Sequence, residues 1–325
     1  MKVITLETYV PATLIDDLKK QKYHFVGRHS AVKRCRWLYE TLIHDRPCYK
    51  QKFYGIKTDQ CIQMTPTAFY CTQQCLFCWR AQSGDLQTSW NELRLPKWDS
   101  PEEIVEESIR AQHAILSGYK DNPKANKQKL REALNPKHVA ISLTGEPTLY
   151  SHIGELIRSF HKNAFTTFLV SNGTMPSALA KLSEEPTQLY ISVCAPDKET
   201  FKKVCRPQIS RGWEELNKTL DNLPNFKCPT VIRITSVRGL NMRNIQGYAG
   251  LIRKAEPTHI EVKAYMHVGF SRKRLGYQNT PSHDEIREFS KQLANLTDYN
   301  LTNESTESRV VLLSKLESSR KFGNG

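Results

Sequence analysis

Between residues 138 and 266 the chain alternates short apolar runs with amphipathic segments, and that rhythm restricts its fold more than any other feature. "HVAISL" (138–143), "FTTFLVS" (165–171), "QLYISVC" (188–194), "TVIRITSV" (230–237) and "HIEVKAYM" (259–266) each read as strands. Helical segments are expected at His152–Lys162, from Pro176, around Glu199 and Glu214, and at Asn244–Ala255. Strand and helix alternating at this spacing predict a parallel sheet with right-handed crossovers. The expected class is α/β, an incomplete (β/α)6 barrel resembling part of a TIM barrel, with functional residues at the C-terminal ends of its strands.

The flanks are read more coarsely. Helices are expected at Ala12–Gln21 and Ser30–Ile43, the second stopped by "DRP", and the cysteine-rich segment after it reads as mostly loop. "SPEEIVEESIRAQHAILSG" (100–118) carries a Ser-Pro start, acids in its first turn and a terminal glycine, so it is helical. The lysine-rich stretch 120–137 reads as an exposed excursion, "SHDEIREFSKQLAN" as a capped helix and "RVVLLSK" as a terminal strand. These signals divide the chain into an N-terminal extension (1–62), the partial barrel (63–297) and a C-terminal tail (298–325).

No stretch approaches the roughly 18 apolar residues of a membrane span. The N-terminus lacks a basic region followed by an apolar block, which points to a cytoplasmic chain. A net charge of +14 favours a polyanionic partner through counterion release, although it also serves plain solubility. Charge alone does not separate RNA from DNA or an anionic membrane.

Cysteine placement is sharper. Cys35, Cys48, Cys61, Cys71, Cys75 and Cys78 are six of the nine cysteines and fall in one short segment, where even scattering would put roughly one. Clustering of this kind in a cytosolic chain indicates metal or redox chemistry rather than disulfides. Cys71, Cys75 and Cys78 form C-x3-C-x2-C, which can hold three corners of a [4Fe–4S] cubane and leave the fourth iron open. Structural zinc normally takes four ligands, often as paired C-x2-C knuckles, and no second knuckle is present. An electron-transfer ferredoxin would need a fourth cysteine. The loop, with Phe77 before its last cysteine, resembles the signature of the radical S-adenosylmethionine (SAM) enzymes. The resemblance implies that SAM chelates the open iron and that the reduced cluster splits it to a 5′-deoxyadenosyl radical. Gly145-Glu146-Pro147 resembles the family's GGE-like segment for the methionine amino group, with Thr144 in place of the first glycine. Ser171 or Asn172 in "VSNGT", and Ser192, are placed by the resemblance near the ribose, although Asn-Gly is also an ordinary turn.

Cys35, Cys48 and Cys61 lie 13 residues apart, and three buried core thiols are the plainer reading of them. This array, followed by the C-x3-C-x2-C loop, closely resembles the tRNA 4-demethylwyosine synthase family, the radical SAM carbon–carbon lyases of wyosine biosynthesis. "CYKQKFYG", "CIQMTP", "CLFCWR", "LTGEPTLY", "FLVSNGT" and "GFSRKRL" support it over roughly residues 25 to 310. The chain looks like the shorter archaeal form without a flavodoxin-like domain. The resemblance implies that two carbons of pyruvate are condensed with 1-methylguanosine beside the anticodon of phenylalanine tRNA. It implies two [4Fe–4S] clusters and SAM, with the second cluster on Cys35, Cys48 and Cys61. It also implies an external electron donor (flavodoxin or ferredoxin), and a monomer is expected. A lysine would form a Schiff base with pyruvate; Lys50, two residues after Cys48, is the choice, with Lys52 and Lys57 as runners-up.

The tRNA would meet basic residues interleaved with aromatics: Arg272, Lys273 and Arg274 between Phe270 and Tyr277, with Lys263, Trp79 and Arg80 nearby. Each basic residue taken alone is more often a plain surface charge. Two other readings remain. Another two-cluster radical SAM RNA-modifying enzyme would show no dependence on pyruvate. A zinc-stabilised nucleic-acid-binding protein would be colourless and free of sulfide. Cys194, Cys205 and Cys228 read as core thiols.

Overall fold

The structure is a computed structural model that describes residues 10–95, 98–316 and 322. Its strands are β1 (Tyr23–Val26), β2 (Ser30–Lys33), β3 (Cys61–Thr65), β4 (Ser83–Leu86), β5 (His138–Ile141), β6 (Thr166–Ser171), β7 (Gln188–Ser192), β8 (Thr230–Ser236), β9 (His259–Ala264), β10 (Asn300–Ser305) and β11 (Val310–Ser314). All but β4 join one ten-stranded sheet in the order β1-β2-β3-β5-β6-β7-β8-β9-β11-β10. The stretch from β3 to β9 is parallel throughout, six strands of the expected barrel. Antiparallel pairs extend it at both ends.

The helices are α1 (Ala12–Lys20), α2 (Arg36–His44), α3 (Tyr49–Tyr54), α4 (Pro101–Ser117), α5 (Lys127–Ala133), α6 (Ile153–Lys162), α7 (Pro176–Ala180), α8 (Lys198–Cys205), α9 (Gly212–Asn222), α10 (Ile245–Ala255) and α11 (His283–Ala294). The starts of α4 and α11 carry the reciprocal Ser–Glu caps that their sequences announce, Ser100 with Glu103 and Ser282 with Glu285.

Side chains alternate across the parallel strands. On the outer face Ile141, Leu169, Ile191, Ile232, Ile234 and Val262 are fully buried in the main core. On the inner face Gln63, Val170, Ser192, Arg233, Thr235 and Lys263 stay partly exposed, so the concave side is open. The lower part of that hollow is plugged by α3. Tyr49, Phe53 and Tyr54 pack there against Phe168, Tyr190 and Val231.

Several expectations need correction. Residues 30–33 are a strand, not the start of a helix; Gly27, at φ +59°, turns the chain so that β1 and β2 pair as a hairpin. The positive φ favours glycine here, and a Cβ on Gly27 would lie 2.2 Å from Asp99 Oδ2 and displace that carboxylate. Cys61–Thr65, read as loop, is the first parallel strand. The lysine-rich excursion contains α5, whose Leu130 and Ala133 pack against Leu38 and Leu42 of α2. The extension and the tail are continuous with the sheet: β11 pairs with β9, and β1 and β2 extend from β3.

Candidate active site

The loop carrying Cys71, Cys75 and Cys78 follows β3 and is suspended by its carbonyls. Gln208 donates through Nε2 to Cys71 O (2.8 Å) and through its backbone N–H to Thr72 O (2.8 Å). Arg80 donates to Gln73 O (2.8 Å), Gln82 to Cys75 O (2.8 Å), and Arg274 to Leu76 O (3.3 Å) and Cys78 O. With the carbonyls turned outward, backbone N–H groups of Gln73 and Arg80 meet the sulfurs of Cys71 and Cys78. Burial pushes both of these thiols up, and the charge of Arg80 opposes it. Cys75 is pushed up first by its hydrogen bond with Cys205 and then by burial. Among the described residues no three His, Cys, Asp or Glu side chains close on a single metal ion. The donor set, three soft sulfurs (Cys71 buried, Cys75 and Cys78 half-buried) with N–H groups and a guanidinium beside them, fits an iron–sulfur cluster.

Arg80 does not face RNA. It is 3% exposed and bonded to Glu92 Oε1 at 2.6 Å. Glu92, 1% exposed, also accepts from Ser83 N (2.9 Å), Gln74 Nε2 (3.1 Å) and Gln208 Nε2 (2.6 Å), so one carboxylate ties the loop together. Glu92→Gln leaves a buried guanidinium without a countercharge and is expected to cost about 3–5 kcal/mol. Urea denaturation measures this; a loss under about 1 kcal/mol would contradict the role.

The turn after β5 braces the same loop. Gly145 has φ +75°, and a Cβ there would lie 2.0 Å from Thr67 O and 2.5 Å from Tyr70 O. Only glycine permits that approach. Glu146 is buried, and its carboxylate accepts from the Thr148 hydroxyl (2.6 Å), the Ser171 hydroxyl (2.8 Å) and Asn172 N (2.6 Å). Asn172 Nδ2 in turn donates to Thr72 Oγ1 (2.8 Å). Ser171 and Asn172, expected near a ribose, and Glu146, expected near an amino group, thus join the ends of β5 and β6 to the cysteine loop. Ser192 lies on the open inner face beside Arg233, and Phe77 packs half-buried against the main core.

Cys35, Cys48 and Cys61 come close enough to act on one another's charge, near the start of β3. Cys35 and Cys48 are the residues that precede α2 and α3, and their sulfurs meet backbone N–H groups of Trp37, Leu38 and Lys50. Cys61 opens β3. Burial raises all three thiols, Cys48 to about 11 and Cys61 to about 12, while Lys50 and, for Cys35 and Cys48, Lys263 pull them down. The set lies beside buried Lys50 and partly exposed Lys263, which makes it a candidate donor group for a cluster.

Lys50 is buried with Nζ 4.6 Å from the centroids of both Phe168 and Tyr190. Burial, then the charge of Arg233, lowers its pKa. Lys263 Nζ stands 4.5 Å over the Tyr49 ring, and burial with Arg233 lowers it to about 8. Lys263 therefore belongs to the hollow, not to the RNA-facing rim. Lys52 donates to Glu304 O (2.7 Å) at the surface and Lys57 is exposed, which removes both runners-up from the site. Sequence reading missed the pair beneath: Glu261 accepts from Arg233 (2.8 Å), Tyr49 (3.0 Å) and Tyr54 (2.8 Å). Burial alone would raise Glu261; Arg233 and Lys50 outweigh it and hold the carboxyl low. The available signal was an Arg and a Glu in the middle of apolar strands, at positions that the register pairs directly.

At the rim, Arg274 is spent on the loop and on Asp85 (2.8 Å), another correction to the expected RNA contacts. Arg272 and Lys273 remain exposed, Lys273 over the Phe270 ring at 5.1 Å, and Tyr277 is 74% exposed.

A mostly parallel α/β sheet with a three-cysteine loop after its first parallel strand defines a radical SAM protein, and residues 65–252 match the Radical SAM superfamily. Residues 254–315 match a second family, Wyosine base formation. The chain belongs to the family of S-adenosyl-L-methionine-dependent tRNA 4-demethylwyosine synthases. It is 50% identical to the one from Pyrococcus abyssi, over 94% of this chain and 89% of that protein. It is 43% identical to the one from Methanocaldococcus jannaschii, over 94% and 96%. A solved structure of TYW1 with a lysine-pyruvate adduct bound superposes with TM-score 0.86 at 41% identity, covering 97% of this chain and 99% of that one. Membership implies SAM and a [4Fe–4S] cluster.

Proposed function

We propose that this chain joins two carbons of pyruvate to 1-methylguanosine beside the anticodon of phenylalanine tRNA, with Lys50 as the amine that captures pyruvate. The observation that carries this reading is a buried lysine in the hollow, beside Arg233 and within electrostatic reach of Cys48 and Cys61. A relative with a bound lysine–pyruvate adduct supports it. Neutral amine is needed for attack on the keto carbon, and burial beside Arg233 favours the neutral form. The Lys50 nitrogen forms the bond to carbon, and the keto oxygen leaves as water. Lys263 and Arg233 keep positive charge near the pyruvate carboxylate, and Phe168 and Tyr190 exclude solvent from the amine.

Cys71, Cys75 and Cys78 would hold one [4Fe–4S] cluster, and Cys35, Cys48 and Cys61 a second. When bound, the first cluster with SAM supplies the one-electron chemistry that generates a carbon radical. The reading makes the reaction a carbon–carbon lyase step in a cytoplasmic enzyme served by an external electron donor. Its direct test is transfer of label from pyruvate labelled at its second and third carbons into tRNA. Tricyclic base without label would overturn the reading.

The exposed group Arg272, Lys273 and Tyr277 beside the cysteine loop is the proposed tRNA contact. Arg272→Glu with Lys273→Glu is expected to weaken tRNA binding about tenfold and to reduce the salt slope by roughly two. Affinity measured from low to moderate salt tests this; an unchanged slope would remove both residues from the interface.

A further inference from the structure

The cysteine loop has a second exposed flank. An open pocket of about 680 Å³ lies against it, lined by Gln74 of the loop, by Lys202 of α8 and by residues 206–210. None of these residues belongs to a strand whose inner face lines the hollow. The pocket wall and the loop share backbone hydrogen bonds: Gln74 N–H to Arg206 O (3.0 Å), Leu76 N–H to Val204 O (2.9 Å) and Gln208 N–H to Thr72 O (2.8 Å). Arg206 sits in the left-handed region at φ 48°, ending α8 so that its carbonyl meets Gln74 while its side chain projects to solvent.

The rim of this pocket is predominantly basic, with Glu199 one turn before Lys202 and Lys203 on α8. Lys202, Lys203 and Arg206 are exposed, and no ion pair between described residues involves them. Glu214 and Glu215 at the start of α9 are already paired with Lys198 and Lys218. Pro207 and Ile209 give the pocket a half-buried apolar centre. A small apolar patch inside a charged rim is what a short-lived electron-transfer complex uses, with opposite charge steering the encounter. The placement also distinguishes the visitor. A tRNA base must reach the concave face where Lys50 and Lys263 project, whereas an electron needs only close approach to the loop.

We propose that this face docks an acidic one-electron carrier protein that reduces the cluster held by Cys71, Cys75 and Cys78. One electron leaves the carrier and one enters the cluster. The inference rests on the reading that these cysteines hold a cluster.

The experiment compares the reconstituted protein with Lys202→Glu/Arg206→Glu, measuring SAM cleavage driven by a reduced flavodoxin, by a reduced ferredoxin and by dithionite. Calorimetry with the oxidised carriers and the iron-free chain supplies a binding readout. The expected result is at least a tenfold loss of carrier-driven cleavage and of carrier affinity, with dithionite-driven cleavage and tRNA affinity unchanged. Native carrier-driven cleavage should also slow as salt rises. Equal loss with dithionite would mean that the flank only supports the loop, and loss of tRNA affinity alone would make it an RNA surface; either overturns the proposal. So does failure of both carriers to bind the native protein. Native protein that cleaves no SAM with dithionite would instead overturn the cluster reading. Should the double variant not fold, Lys202→Gln/Arg206→Gln gives the same comparison with a smaller expected loss, about threefold.

Discussion

Lys50→Ala should abolish borohydride-trapped pyruvate on the chain and lower tricyclic base formation at least about a thousandfold, the scale of losing a positioned nucleophile. Iron content and dithionite-driven SAM cleavage should stay within about twofold of the native protein. The split is expected because Lys50 lies between Phe168 and Tyr190, where it meets neither the loop of Cys71–Cys78 nor its supports. Lys263→Ala is the informative companion. It removes a charge near the pyruvate carboxylate but leaves the amine, so trapping should persist while the pyruvate concentration needed rises. Peptide mapping of the trapped adduct decides the matter: pyruvate retained in the Lys50 variant and lost in the Lys263 variant would transfer the role.

Replacing Cys35, Cys48 and Cys61 together by Ala should reduce reconstituted iron from about eight to about four atoms per chain. The fold should survive, because α3 is anchored by Tyr49, Phe53 and Tyr54 and α2 by Leu38 and Leu42, not by the thiols. SAM cleavage should continue while pyruvate-dependent product is lost. Four iron atoms in both proteins would make the upstream cysteines structural and leave Lys50 without a neighbouring cluster.

How much of this was legible beforehand differs by element. Five strands of the parallel run, β5 to β9, announce themselves because runs such as "TVIRITSV" are apolar and β-branched. β10, "NLTNES", is polar and becomes a strand only because β11 pairs with it. β1 and β2 are too short to show a period of their own, and Cys61–Thr65, inside the segment read as mostly loop, alternates over only five residues.

The sequence by itself determined the two cysteine groups, the helix caps and the alternating βα order, since these depend on covalent spacing and local periodicity. It also placed Lys50 beside Cys48. Only the tertiary structure decided the fate of the other charges. Arg80 turned inward to Glu92, Arg274 to the carbonyls of the cysteine loop, and Lys263 into the hollow with Arg233 and Glu261. A buried charge is tolerated only where a partner from a distant segment meets it, and residues 12 to 198 positions apart carry no local signal of that meeting.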